Sequence, residues 1–158
     1  MKIFVYILFI FIINGCEKIE LIPVTSEILN KRVSKYKGEK VVLVNIWALW
    51  CKPCVEEFPM IINLPNKIND LEIIFVSVDF EDQYNSVISF LNENNAPSPY
   101  FIKQQKDEPF IEGLHIGWSG SLPFTLIYGK SSGVLVEYWE GEKTESAFVS
   151  AISKAALN

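Results

Sequence analysis

Histidine and cysteine are both scarce in this chain, which has one His, at position 115, and three Cys, at positions 16, 51 and 54, in 158 residues. Structural zinc asks for four ligands of these types. His115 has no second histidine to join it, so no metal-ligating set is expected. Basic runs are lacking too. The longest, Lys31 to Lys40, is diluted by Val33, Tyr36 and Glu39 in a chain of formal net charge -5, which leaves no footprint for a phosphate backbone and makes nucleic acid an unexpected partner. No apolar run reaches the ~20 residues that a membrane-spanning helix needs. Internal repeats, low-complexity tracts, the CxxxC spacing of a copper site and a haem-attachment motif are also missing, and no cofactor is implied.

What is present is a core. Hydrophobic residues make up 49% of the chain and charged residues 21%, which excludes intrinsic disorder and fits one ordinary domain behind a short leader. Lys2 precedes an unbroken apolar run from Ile3 to Ile13, the length of a secretory h-region. It ends in Ile13-Asn14-Gly15-Cys16, which resembles a bacterial lipobox, although Asn14 departs from the small or aliphatic residue usual there. Residues 1–15 are therefore expected to be a lipoprotein signal peptide. Cys16 would be the lipidated N-terminus, 16–39 a membrane tether and N-terminal extension, and 40–158 the folded domain. An uncleaved leader and a buried apolar segment are the alternatives. With Cys16 committed to lipid, only Cys51 and Cys54 remain, and no structural disulfide competes with them.

Between Glu17 and Lys40 the pattern is mixed and predicts a tether plus one irregular helix or strand. Lys40 to Trp47 and Leu71 to Val78 are apolar on both faces, as strands in the middle of an α/β sheet are. Val55, Phe58, Ile61 and Ile62 share one face of a helix beginning near Cys51, in which Pro59 is expected to make a kink and Pro65 a second disturbance. Tyr84, Val87, Ile88 and Leu91 mark another helix, closed by Asn94-Asn95. A short strand is expected at Tyr100 to Ile102, and Gln104 to Gly120 shows no clear pattern. Phe124 to Tyr128 and Val134 to Trp139 predict a hairpin, and Thr144 to Ala156 a last helix. Strand and helix alternate first and a hairpin plus helix comes last, so the expected fold class is α/β, a central mixed sheet flanked by helices on both faces.

Two cysteines separated by two residues can close a small disulfide ring. A first cysteine at a helix N-terminus has its thiolate stabilised by the dipole and by free N–H groups. Cys51 is therefore the expected nucleophile. Cys54, one turn further in, is expected to be more buried and to resolve a mixed disulfide. Pro53 lies in the first turn, where its missing N–H costs little and its fixed φ stiffens the loop. Lys52, between the cysteines, places a positive charge near the thiolate.

Val44-Asn45-Ile46-Trp47-Ala48-Leu49-Trp50-Cys51-Lys52-Pro53-Cys54 resembles the active-site segment of the thioredoxin superfamily, particularly its exported TlpA and ResA type. There a Glu-x-Pro follows in the helix, matched here by Glu57-Phe58-Pro59. Ser121-Leu122-Pro123-Phe124-Thr125 resembles the family's second signature, a proline in cis that faces the disulfide. The resemblance spans roughly Lys40 to Leu157. It implies a thioredoxin-like fold and a Leu122-Pro123 backbone at which a substrate strand could pair. It also implies that Trp50 flanks the disulfide as part of an apolar substrate platform. Where thioredoxins proper bury an aspartate this chain has Asn45, and the resemblance implies that Glu57 tunes the thiols or shuttles a proton to Cys54. The competing reading of Glu57 is a solvated surface carboxylate. Trp47 reads as core, and His115 and Trp118 receive no role.

Relatives of this type mostly reduce disulfides, drawing electrons from a membrane thiol transporter and often preparing apocytochromes c for haem attachment. The implied activity is membrane-anchored thiol-disulfide exchange on exported proteins of the cell envelope, in the reducing direction, by a monomer. The rivals are a disulfide-forming oxidase and a thioredoxin-like binding or chaperone module whose cysteines do not turn over. Peroxidase chemistry fits less, because the Pro-x-x-x-Thr-x-x-Cys setting of a peroxidatic cysteine is absent.

Overall fold

The computed structural model describes residues 20–158. The expected signal peptide, the Cys16 lipidation site and the start of the tether lie outside the described residues. In chain order the elements are β1 (Leu21–Val24), α1 (Ser26–Ser34), β2 (Val41–Trp47), α2 (Lys52–Asn63), β3 (Leu71–Ser77), α3 (Tyr84–Glu93), β4 (Tyr100–Lys103), α4 (Asp107–Leu114), β5 (Phe124–Tyr128), β6 (Leu135–Glu140) and α5 (Glu145–Ala156). One sheet holds all six of these strands in the order β1-β4-β3-β2-β5-β6. The pairs β1·β4, β4·β3 and β3·β2 are parallel, whereas β2·β5 and β5·β6 are antiparallel. This is the mixed sheet of the thioredoxin-like fold.

All seven residues of β2 are buried, as its unbroken apolar run requires of a strand with neighbours on both edges and helices on both faces. The residues on one face of the sheet pack with Phe58 and Ile61 of α2, Val87 and Leu91 of α3, and Phe148 and Ile152 of α5. Those on the other pack with Leu29 and Val33 of α1 and Phe110 and Leu114 of α4. Trp47, fully buried, joins the first face, its ring 4.8 Å from Phe58 and 5.1 Å from Phe90.

Two stretches differ from the sequence expectation. The extension before residue 40 supplies a regular edge strand and a regular helix, with β1 paired to β4 from Leu21↔Tyr100 to Val24↔Lys103. Thr25 caps α1 by accepting the Ile28 N–H. The patternless segment Gln104 to Gly120 contains α4. Pro109 sits in its first turn, where no intrahelical N–H is needed, and Gly113 lets it press against α1, because a Cβ there would collide with Ser26. As expected, Pro59 lies inside α2, which runs to Asn63, and Pro65 disturbs the helix by falling in a separate 3-10 turn, Leu64–Asn66. Among the described residues no helix is long and apolar enough to cross a membrane.

Candidate active site

The site forms where the central strand delivers the chain to α2. Ala48 to Cys51 is a tight turn closed by the Cys51 N–H donating to the Ala48 carbonyl at 3.2 Å. Cys51 is itself the N-cap of α2, with extended backbone angles, and its Sγ accepts the Cys54 N–H at 3.3 Å. Helix N-termini leave such N–H groups without intrahelical acceptors, so the same donor that faces Cys51 here is available to a thiolate. The two sulfurs are bonded at 2.05 Å. Cys54 is fully buried and Cys51 is 6% exposed, so of the two residues Cys51 is the one nearer the surface. Pro53 occupies the first helical turn. Lys52 points into solvent and pairs with Glu56 at 3.5 Å, so its field at Cys51 is shared with an opposing carboxylate and screened by water.

Glu57 lies three residues after Cys54, on the same face of the helix. It is buried, not solvated. Its Oε1 accepts from Asn45 Nδ2 at 3.1 Å and its Oε2 from the Lys143 N–H at 3.4 Å. Burial pushes its carboxyl up to about 7, against the lowering effect of those two hydrogen bonds, with Glu142 adding a small push upward. Asn45 Nδ2 also donates to Thr125 Oγ1 at 3.1 Å, and its Oδ1 is buried without a partner among the described residues. A polar row thus crosses the sheet from β2 to β5 beneath α2, where Asn45 and Thr125 are directly paired.

The Leu122–Pro123 peptide bond is cis. A second one, Ser98–Pro99, was not foreseen from sequence. Trp118 stacks on Phe124 at 4.4 Å and donates its Nε1–H to the Ser121 carbonyl at 2.8 Å, which fixes the approach to Pro123. Trp50, 57% exposed, and Leu122 share a groove of about 170 Å³ with Val78, Phe80 and Trp118. Phe80 is 71% exposed at its rim. The structure therefore brings Trp50 and Leu122 to one surface, while Glu57 is buried elsewhere, against Asn45 and the Lys143 backbone. His115 lies against Tyr138, ring centroids 3.9 Å apart.

Sequence reasoning missed Phe80, Thr125 and Asp79. The last is a buried carboxylate whose two oxygens lie 3.0 and 3.1 Å from the Leu49 N–H. The only local signal for it was a charged residue closing an apolar strand. Among the described residues no group of His, Cys, Asp and Glu is arranged to hold a metal ion.

A cysteine pair closed as a disulfide, its first sulfur at a helix N-terminus on this mixed sheet, defines a thiol-disulfide oxidoreductase. A family model described as thioredoxin-like matches residues 38–116, half of the chain, and the chain belongs to that family. It is 26% identical over 144 residues to the thiol-disulfide oxidoreductase ResA of Bacillus thuringiensis (strain Al Hakam), covering 85% of this chain and 80% of that protein. It is also 26% identical over 95 residues to the thiol:disulfide interchange protein DsbE of Pasteurella multocida, covering 60% and 49%. A thiol:disulfide interchange protein of the thioredoxin family from Chlorobium tepidum shares its fold, with a TM-score of 0.62 at 20% identity over 77% of this chain and 83% of that one.

Proposed function

We propose that this oxidoreductase works in the reducing direction on disulfides of exported proteins while held at a membrane by lipid on Cys16. The observation that carries the reading is a closed cysteine pair of unequal exposure at a helix N-terminus, Cys51 being 6% exposed as a residue and Cys54 0%. The Cys51 thiolate attacks one sulfur of a substrate disulfide, forming a mixed disulfide and releasing the other substrate sulfur as thiolate. Cys54 then loses its proton and attacks Cys51 Sγ, expelling the second substrate sulfur. Two electrons have passed to the substrate, and the enzyme is left with the Cys51–Cys54 bond seen here.

In this reading Glu57 takes the Cys54 proton, which its position three residues further along the same helix and a carboxyl near 7 support. Return to the dithiol requires an external dithiol, for which a membrane thiol-electron transporter is the proposed donor. Apocytochrome c, whose haem-binding cysteines must be reduced before attachment, is a proposed client. The groove beside Trp50 and Leu122 would seat the substrate chain, whose backbone pairs at Leu122 next to Pro123. In this reading residues 1–15 are the signal peptide and the protein acts as a monomer at the extracytoplasmic face.

The Cys54→Ser protein, expressed with its native N-terminus, tests the reading. It should collect exported proteins as mixed disulfides through Cys51 and lose its membrane attachment when Cys16 is also replaced by Ser. The intact enzyme should reduce insulin with dithiothreitol as donor. Absence of any mixed disulfide would reduce the chain to a binding module, and a pair that instead oxidises dithiols against a glutathione buffer would make it an oxidase.

A further inference from the structure

We propose that Asp79 is a positioning residue for the exchange reaction: its carboxylate holds the Leu49 N–H and thereby fixes the turn that ends in the nucleophile Cys51. This rests on the reading of Cys51 as the attacking sulfur. The geometry has two sides. On one, β3 ends at Ser77, and the Val78 N–H adds one more rung to the central ladder by donating to the Trp47 carbonyl at 2.9 Å. Two residues past the strand, Asp79 folds back. Its own N–H donates to Ser77 Oγ at 3.0 Å, and the Ser77 hydroxyl donates to Asp79 Oδ2 at 2.8 Å. The carboxylate is thus locked against the end of a central strand before it touches the active-site loop.

On the other side, the turn Ala48 to Cys51 uses the Cys51 N–H and the Ala48 carbonyl to close itself. The N–H of its second residue, Leu49, is left over by such a turn and needs a partner elsewhere, because Leu49 is half-buried. Both oxygens of Asp79 supply that partner, at 3.0 and 3.1 Å. A hydrogen bond to an ionised acceptor is stronger than a neutral one. One carboxylate therefore ties the second residue of a four-residue turn whose last residue is nucleophile and helix cap together.

Asp79 is kept at a cost. It is 5% exposed and belongs to none of the ion pairs among the described residues. Burial pushes its carboxyl above the ordinary range, against the pull of the Ser77 hydroxyl and of the Leu49 N–H. Removing it leaves the Leu49 N–H unpaired and frees the turn to shift, which carries Cys51 Sγ away from the Cys54 N–H that stabilises it. Displacements of about 1 Å at a reacting atom are enough to slow a reaction strongly.

The test reads Cys51 directly, as the pH dependence of its alkylation by iodoacetamide in reduced protein carrying Cys54→Ser. Adding Asp79→Ala should slow alkylation at pH 7 roughly tenfold and move the midpoint upward, since the thiolate is less well held. Adding Asp79→Asn, which keeps an oxygen for the Leu49 N–H, should stay within about threefold of the unaltered site. Ser77→Ala, which leaves the charge in place and removes only its support, should shift the profile the same way as Asp79→Ala but by less, and it decides the matter if the Ala protein does not fold.

A midpoint lowered equally by Ala and Asn would show that Asp79 acts only as a charge. A lower melting temperature with an unmoved alkylation profile would show that it only stabilises the fold. Either result overturns the proposal. Insulin reduction is scored separately, so failure of the reducing role and failure of the Asp79 tether are distinguishable.

Discussion

The two faces of the sheet are built from different material. The face beneath α1 and α4 is apolar along the strands, with Val42, Val44, Ile46, Ile74, Val76 and Leu126 all buried against it. The face beneath α2, α3 and α5, which includes Cys54, is equally buried, but Asn45, Glu57 and Thr125 stand among its apolar residues. A buried polar group without full hydrogen bonding destabilises a fold by about 1–3 kcal/mol, and Asn45 Oδ1 has no partner among the described residues. An apolar residue at position 45 would continue the pattern of β2 but would take the Asn45 donor from the buried Glu57 and Thr125 oxygens. The difference therefore separates an apolar face from one that also carries a buried polar row beneath the helix of the cysteines.

The largest effect should come from the purely structural face. Leu126→Ala deletes a fully buried side chain in the middle of β5, and such truncations cost about 2–5 kcal/mol. Urea unfolding should show that loss while the alkylation profile of Cys51 in the folded, reduced protein stays where it was. A shifted profile would mean that the two faces are not separable.

Glu57→Gln sharpens the same comparison from the other side. The folded-state carboxyl is raised from 4.5 to about 7, so between those values the folded protein holds a proton that the unfolded chain releases. The stability this proton confers is complete below pH 4.5 and is lost as the pH rises through about 7. The full displacement corresponds to roughly 3 kcal/mol. In urea titrations from pH 4 to pH 8 the wild type should weaken across this window and Glu57→Gln should not, leaving the variant the more stable of the two at pH 8. Parallel curves would mean that the carboxyl titrates as if in water.

How much of this was legible in the sequence depends on whether a feature is local. β2 and β3 announce themselves because a run such as Val41 to Trp47, apolar at every position but Asn45, has few other places to go. The cysteines, Pro53 and Glu57 fall within seven residues on one helix, so their mutual placement follows from helical geometry alone. β1 is four residues long and contains Pro23, which an edge strand tolerates, and nothing nearby reveals that its partner is β4, some 79 residues away. α4 is hidden by Pro109 and Gly113, which read as helix breakers until its first turn and its contact with α1 are known. Thr125 and Asp79 were missed for a shared reason. Each acts on a partner 80 or 30 residues distant, through contacts that only the assembled sheet creates.

The smallest effect on stability should come from Trp50, which belongs to neither face. More than half of its surface is exposed at the rim of the groove it shares with Leu122 and Phe80. A ring left in water contributes little to folding, so Trp50→Ala should change the unfolding free energy by no more than about 0.5 kcal/mol. Under the proposed function its apolar surface matters when a substrate chain covers it, as aromatic anchors at binding surfaces do. The expected result is a several-fold rise in KM for a protein disulfide with kcat nearly unchanged, and no change at all with a small disulfide that does not reach the groove. Equal losses on both substrates would place Trp50 in the chemistry at Cys51 and move it out of substrate recognition.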